Sequence, residues 1–151
     1  MPSNILKSRS SKSFNIQSSI KSFLILMKPR VMSLVIFTCA VGYLISNPSL
    51  DTYNAITSIF LVAIGAGASA CLNMWYDSDI DALMTRTCLR PIPTGKISKN
   101  NALIYGIFLT TISVFGLNYF SNTLSAILLL STILFYLFVY TIWLKRKTPQ
   151  N

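Results

Sequence analysis

Four apolar runs, at about 31–45, 55–75, 102–120 and 124–144, contain no Lys, Arg, Asp or Glu and together make up more than half of the chain. A bilayer core about 30 Å thick needs roughly 20 apolar residues at 1.5 Å each. The last three runs meet that length, and the first does so by borrowing from residues 23–30. A soluble domain carries about 25% charged residues, whereas this 151-residue chain carries 11%. Its length allows one domain, and the spans leave little for a water-facing core. The expected fold is therefore all-α, a polytopic membrane helical bundle with four transmembrane helices near 27–46, 55–75, 102–120 and 124–144. In the second span, Gly65-Ala66-Gly67-Ala68-Ser69-Ala70 forms a small-residue surface that lets helix backbones approach closely in lipid.

The positive charges alternate between loops. Six precede the first run (Lys7, Arg9, Lys12, Lys21, Lys28, Arg30), none lies at 46–54, four lie at 76–101 (Arg86, Arg90, Lys96, Lys99), none lies near Ser121, and three follow residue 144. Cytosolic loops retain Lys and Arg, so both termini and the 76–101 loop are expected on the cytosolic or matrix side. A net charge of +9 would suggest nucleic acid in a soluble protein. Here the cations separate apolar runs, and the expected partner is the lipid bilayer, with no nucleic acid. Residues 1–22 read as a Ser/Lys-rich cytosolic tail, or alternatively as an organellar transit peptide, which is also Ser-rich and acid-poor. With no clear cleavage site, a bacterial inner membrane is expected ahead of a mitochondrial one.

Cys39, Cys71 and Cys88 are far apart, and the chain has no His. Zinc-type spacing is absent and histidine chemistry is unavailable, so any metal must be hard and oxygen-ligated. Three of the four acids, Asp77, Asp79 and Asp81, fall within five positions. Asn73, Asp77 and Asp81 are spaced i, i+4, i+8 and form one stripe if the helix continues, drifting about 40° per step; Asp79 faces elsewhere. Carboxylates beside hydrocarbon are costly, about 2.5–3.5 kcal/mol for an Asp at a helix centre. Two carboxylates and an amide oxygen suit Mg²⁺, which binds few protein ligands while contacting substrate phosphates. The following loop carries Arg86, Arg90 and Lys96, the cations a phosphate requires. A solvated loop of paired surface charges and an ion-conducting or regulatory site fit the same residues.

The pattern Asn73-x-x-x-Asp77-x-x-x-Asp81, followed by Arg86-Thr87-x-x-Arg90-Pro91, resembles the UbiA superfamily of intramembrane prenyltransferases. The segment Leu26-Met27-Lys28-Pro29-Arg30-Val31, the wording Leu72 to Asp77 and the tail Trp143 to Asn151 resemble its haem-directed farnesyltransferase branch, so that the likeness covers about residues 23–151. The resemblance implies that Asn73, Asp77 and Asp81 hold Mg²⁺ against the diphosphate of farnesyl diphosphate. It implies Asp77, Asp81 and Arg86 as catalytic residues, and Asn73, Arg86, Arg90, Lys96, Lys28 and Arg30 as substrate-binding residues. Lys28 and Arg30 would meet the haem propionates or the diphosphate, though they equally suit positive-inside anchors. The acceptor would be a vinyl group of haem B (protohaem IX). Tyr43, Trp75, Tyr76 and Tyr105 read as interface or packing residues.

Family members resemble bundles of about nine helices with a second aspartate-rich motif, and after Asp81 this chain has no Asp or Glu. It is expected to be the amino-terminal half of such an enzyme, inactive alone: a fragment, a remnant, or a polypeptide that needs a separately encoded carboxy-terminal half. Two alternatives are a small Mg²⁺-binding four-helix membrane protein and a related prenyltransferase with an aromatic quinone precursor as acceptor. Conduction would place ionisable groups inside the spans, where none occurs.

Overall fold

A computed structural model of the chain describes residues 16–46 and 52–145. Six α-helices follow in order: α1 (Ile16–Leu26), α2 (Pro29–Ser46), α3 (Thr52–Tyr76), α4 (Ser78–Leu83), α5 (Lys99–Phe120) and α6 (Thr123–Phe135). A π-helical segment, Tyr136–Leu144, continues α6. The described residues contain no strand. α2, α3, α5 and α6 with its continuation are each long and apolar enough to cross a membrane, as the four runs require. The protein is an all-α polytopic membrane bundle. Most of residues 1–22 lies outside the described part, as do the tail residues after Lys145; α1 occupies the last part of the segment read as a tail.

α3 is the central helix and packs on α1, α2, α5, α6 and the π-helical segment. Its small residues explain why. A Cβ added at Gly65 would stand 2.9 Å from Leu129 Cδ1, and one at Gly67 would stand 2.5 Å from Met27 Cε. On α5, a Cβ at Gly106 would meet Leu72 Cδ2 at 2.7 Å. Absent side chains on one helix thus receive leucine or methionine from the next, the close approach on which association in lipid depends. Two apolar cores result. Leu26, Cys71, Met74, Ile97 and Ala102 form one near the charged loop, and Leu61, Leu117 and Ala126 form the other toward the opposite end.

Outside, the pattern is inverted relative to a soluble protein. Leu34, Phe37, Phe115 and Phe138 are all more than half exposed, and α2 buries none of its side chains. Such large contiguous apolar surfaces are the mark of a membrane interface. Local chemistry orders both ends of the bundle, the charged one at Ser98 and the uncharged one at Asn122. Ser98 caps α5, its hydroxyl accepting from Asn101 N–H at 3.2 Å, and Asn122 caps α6, accepting from Ser125 N–H at 2.7 Å. Side-chain caps of this kind satisfy backbone donors left open at a helix start.

Candidate functional site

The acid stripe crosses a helix end. α3 stops at Tyr76 and α4 starts at Ser78, with Asp77 between them at φ −83° and ψ 6°. The i→i+4 bonds nevertheless continue: Asp77 N–H donates to Asn73 O at 3.0 Å and Asp81 N–H to Asp77 O at 2.8 Å. Asn73, Asp77 and Asp81 consequently stay aligned and are all buried, at 2%, 0% and 2% exposure, while Asp79 is solvent-exposed. The loop after α4 folds back over them. Thr87 Oγ1 donates to Asp81 O at 3.0 Å, and the Arg90 guanidinium donates to Asp81 Oδ2 at 2.6 Å.

Asp77 has a different counter-ion. Lys145, just after the π-helical segment, donates to Asp77 Oδ2, which also accepts from Asn73 Nδ2 at 2.9 Å. The other carboxylate oxygen, Asp77 Oδ1, is buried without a hydrogen bond, an arrangement that costs about 1–3 kcal/mol for a buried acceptor and more when it is charged. Asn73 Nδ2 also donates to Thr141 Oγ1 at 3.0 Å, and Asn73 Oδ1 accepts from Lys28 Nζ at 3.0 Å.

Lys28 is placed by strain. It connects α1 to α2 with φ +50°, a left-handed conformation that costs a non-glycine residue on the order of 1–3 kcal/mol. Pro29 then opens α2, where its missing N–H is no loss. Burial, reinforced by the positive charges of Arg90 and Lys145, pushes the Lys28 ammonium down from 10.5 to about 8, against the opposing pull of Asp81 and Asp77.

These groups enclose a cavity of about 320 Å³ lined by Lys28, Asn73, Asp81, Arg86, Arg90 and Lys145, with Tyr136, Tyr140 and Thr87 also on its wall. Below it lies an apolar cavity of about 410 Å³ between α2, α3 and α6, lined chiefly by Val31, Val35, Val62, Ala66, Leu129 and Ile133. Lys28 and Tyr136 belong to both. Four cations, Lys28, Arg86, Arg90 and Lys145, thus surround two carboxylates, Asp77 and Asp81, at the mouth of an apolar space.

The structure brings Asn73, Asp81, Arg86, Arg90 and Lys28 to the cavity wall and sets Asp77 directly behind Asn73 and Lys145. Arg30 and Lys96 are exposed and do not line it. Of the four aromatics read as packing residues, Tyr105 sits 4.8 Å from Phe23 and donates to Met27 Sδ at 3.4 Å, and Trp75 lies 6.2 Å from Tyr76. The sequence reading missed Tyr136, Tyr140, Thr141 and Lys145, all supplied from the end of the fourth span. Their one sequence signal is a run of polar-tipped residues at the cationic end of an apolar helix.

The UbiA prenyltransferase family model matches residues 35–151. The chain belongs to the UbiA prenyltransferase family. Relatives of this UbiA member include the protoheme IX farnesyltransferase of Pelagibacter ubique, 64% identical over 146 residues, covering 97% of this chain and 48% of the relative. The protoheme IX farnesyltransferase of Bartonella quintana is 49% identical over 146 residues (97% and 47% covered), and protoheme IX farnesyltransferase 2 of Mesorhizobium japonicum is 52% identical over 135 residues (89% and 43% covered). The UbiA chain described here therefore spans about half the length of the curated relatives it matches. No solved structure matches it.

Proposed function

We propose that this chain is the amino-terminal half of a protohaem IX farnesyltransferase, which converts haem B to haem O with farnesyl diphosphate. The observation that carries the reading is the excess of cations around Asp77 and Asp81 at the mouth of an apolar cavity. A diphosphate joined to a prenyl chain has that division of polarity. The similarity to protoheme IX farnesyltransferases supports haem as acceptor over an aromatic quinone precursor.

The residues fit Mg²⁺ in kind. Asn73, Asp77 and Asp81 offer hard oxygens, and Asp77 Oδ1 is buried with no partner. When bound, Mg²⁺ would supply positive charge that stabilises the departing diphosphate. Lys145 and Arg90 pair with the carboxylates, and both cations would be available to phosphate oxygens if Mg²⁺ were held by those carboxylates. Arg86 and Lys28 add donors on the same wall. Fixed positive groups aimed at charge that grows during bond cleavage lower the barrier without reorganising at that moment.

In the proposed reaction the C1–O bond of farnesyl diphosphate breaks and diphosphate leaves with the electron pair. The vinyl group of haem B attacks the allylic cation at C1, and water adds to the resulting cation, losing a proton to give the hydroxyethylfarnesyl side chain. Val31, Val35, Val62, Ala66, Leu129 and Ile133 would receive the prenyl chain and keep water from the cation. Tyr136, common to both cavities, would flank the reacting carbon. We place the protein in a bacterial inner membrane with the 76–101 loop in the cytosol, in accord with the loop charges. The 151 residues would supply half of the catalytic ligands, and the remaining length seen in relatives would supply the rest.

The test uses the purified chain in lipid nanodiscs with Mg²⁺. Farnesyl diphosphate should bind at least tenfold more tightly than inorganic pyrophosphate, and farnesol should bind weakly. Haem O should form only when the carboxy-terminal half of the Pelagibacter ubique relative is co-expressed. Equal affinity for pyrophosphate and farnesyl diphosphate would overturn the assignment of the two cavities. Haem O made by the chain alone would overturn the half-site.

A further inference from the structure

Asn73 is the one candidate ligand whose two side-chain atoms have opposite character, so its usefulness depends on which way its amide is turned. Donor chemistry settles the orientation. Lys28 Nζ can only donate, so the atom facing it at 3.0 Å must be the carbonyl oxygen. The nitrogen then faces two acceptors, Asp77 Oδ2 at 2.9 Å and Thr141 Oγ1 at 3.0 Å. Asp77 Oδ2 is already shared with Lys145 and belongs to a carboxylate that we assign to the metal. Thr141 is the anchor that stays when that carboxylate is engaged.

The Thr141 hydroxyl is itself fixed. It has 0% exposure and donates its proton to Tyr136 O at 3.0 Å, leaving an oxygen lone pair for the amide. Five residues of α-helix advance about 500°, which sets residue 141 about 140° around the axis from residue 136. The wider π turn closes that gap: Lys145 N–H bonds Tyr140 O, also five residues back. Segments of π-helix inside α-helices occur frequently at functional sites. Here the wide turn sets Thr141 against Asn73 and Lys145 against Asp77.

We propose that Thr141 is a positioning residue that holds the Asn73 amide with Oδ1 toward the cavity, and that the π-helical register of Tyr136–Leu144 is what delivers it. The inference rests on the diphosphate-site reading above and assigns a role to a residue outside the aspartate motif. Thr141 touches neither diphosphate nor haem; it acts through Asn73. Partners that orient metal ligands are typically worth 10–100-fold in metal affinity.

The experiment measures Mn²⁺ binding, with inorganic pyrophosphate present, to the purified 151-residue chain in nanodiscs, by electron paramagnetic resonance and calorimetry. Thermal unfolding is followed in parallel. Thr141→Val keeps the shape and removes the hydroxyl; it should weaken Mn²⁺ binding at least tenfold, with a broadened Mn²⁺ spectrum, whereas Thr141→Ser should bind within threefold of the parent. If Thr141→Val does not fold, Thr141→Cys, similar in size and a weak acceptor, takes its place with the same expectation. Unchanged affinity in the hydroxyl-free variants, or a Thr141→Ser as weak as Thr141→Val, would overturn the inference even with a lowered unfolding temperature. A parent chain that binds no Mn²⁺ with pyrophosphate would sink the diphosphate-site reading itself, and the inference with it.

Discussion

At the scale of single residues, the site is an arrangement of charges held away from water. Lys28 is the clearest case, because burial, reinforced by the charges of Arg90 and Lys145, pushes its ammonium down to about 8. The unfolded chain would keep this group near 10.5, so between pH 8 and 10.5 the unfolded state binds the extra proton. Stability contributed at this position therefore rises with pH across that window, by the linkage between proton uptake and folding. We expect the unfolding temperature of the parent minus that of Lys28→Met to increase from pH 8 to pH 10. A flat or falling difference would show that Lys28 is not held in its depressed state. The partners of Lys28 also show how far sequence reasoning reaches. Asn73, Asp77 and Asp81 were legible because i, i+4 spacing survives the junction at Asp77. Arg30 and Lys96 share segments with Lys28 and Arg90 but are turned away from the cavity, which charge counting along a sequence does not encode.

At the scale of elements, the spans follow from hydropathy and the central place of α3 follows from its glycines and alanines. The end of the fourth span does not. Residues 124–144 read as one uninterrupted apolar helix, and nothing in their periodicity announces the change from α to π at Tyr136. Within that π-helical stretch and at its end, Thr141 and Lys145 meet residues 68 positions earlier in the chain. Lys145→Met should strand the buried Asp77 carboxylate with which Lys145 pairs. Removing one partner of a buried ion pair typically costs about 3–5 kcal/mol. The variant should lower the unfolding midpoint accordingly, and Asp77→Asn added to it should restore most of the loss. Failure of that rescue would mean that Lys145 acts through the packing of its stem rather than through the ion pair.

At the scale of the whole molecule, the charged cavity, the 76–101 loop and Lys145 lie at one end of the bundle, and the uncharged turn near Ser121 lies at the other. With cysteines 39, 71 and 88 replaced by alanine, a membrane-impermeant maleimide added outside intact cells should label Tyr119→Cys and spare Lys96→Cys. The reverse pattern would invert the orientation that we propose. The bundle also has one thin wall. α2 buries none of its side chains, packs chiefly on α3, and contributes Val31 and Val35 to the apolar cavity. A wall made of one helix whose other faces are exposed puts that cavity a single helix away from the acyl tails, so a greasy chain held there would be separated from the surrounding lipid by no more than two valines and a backbone.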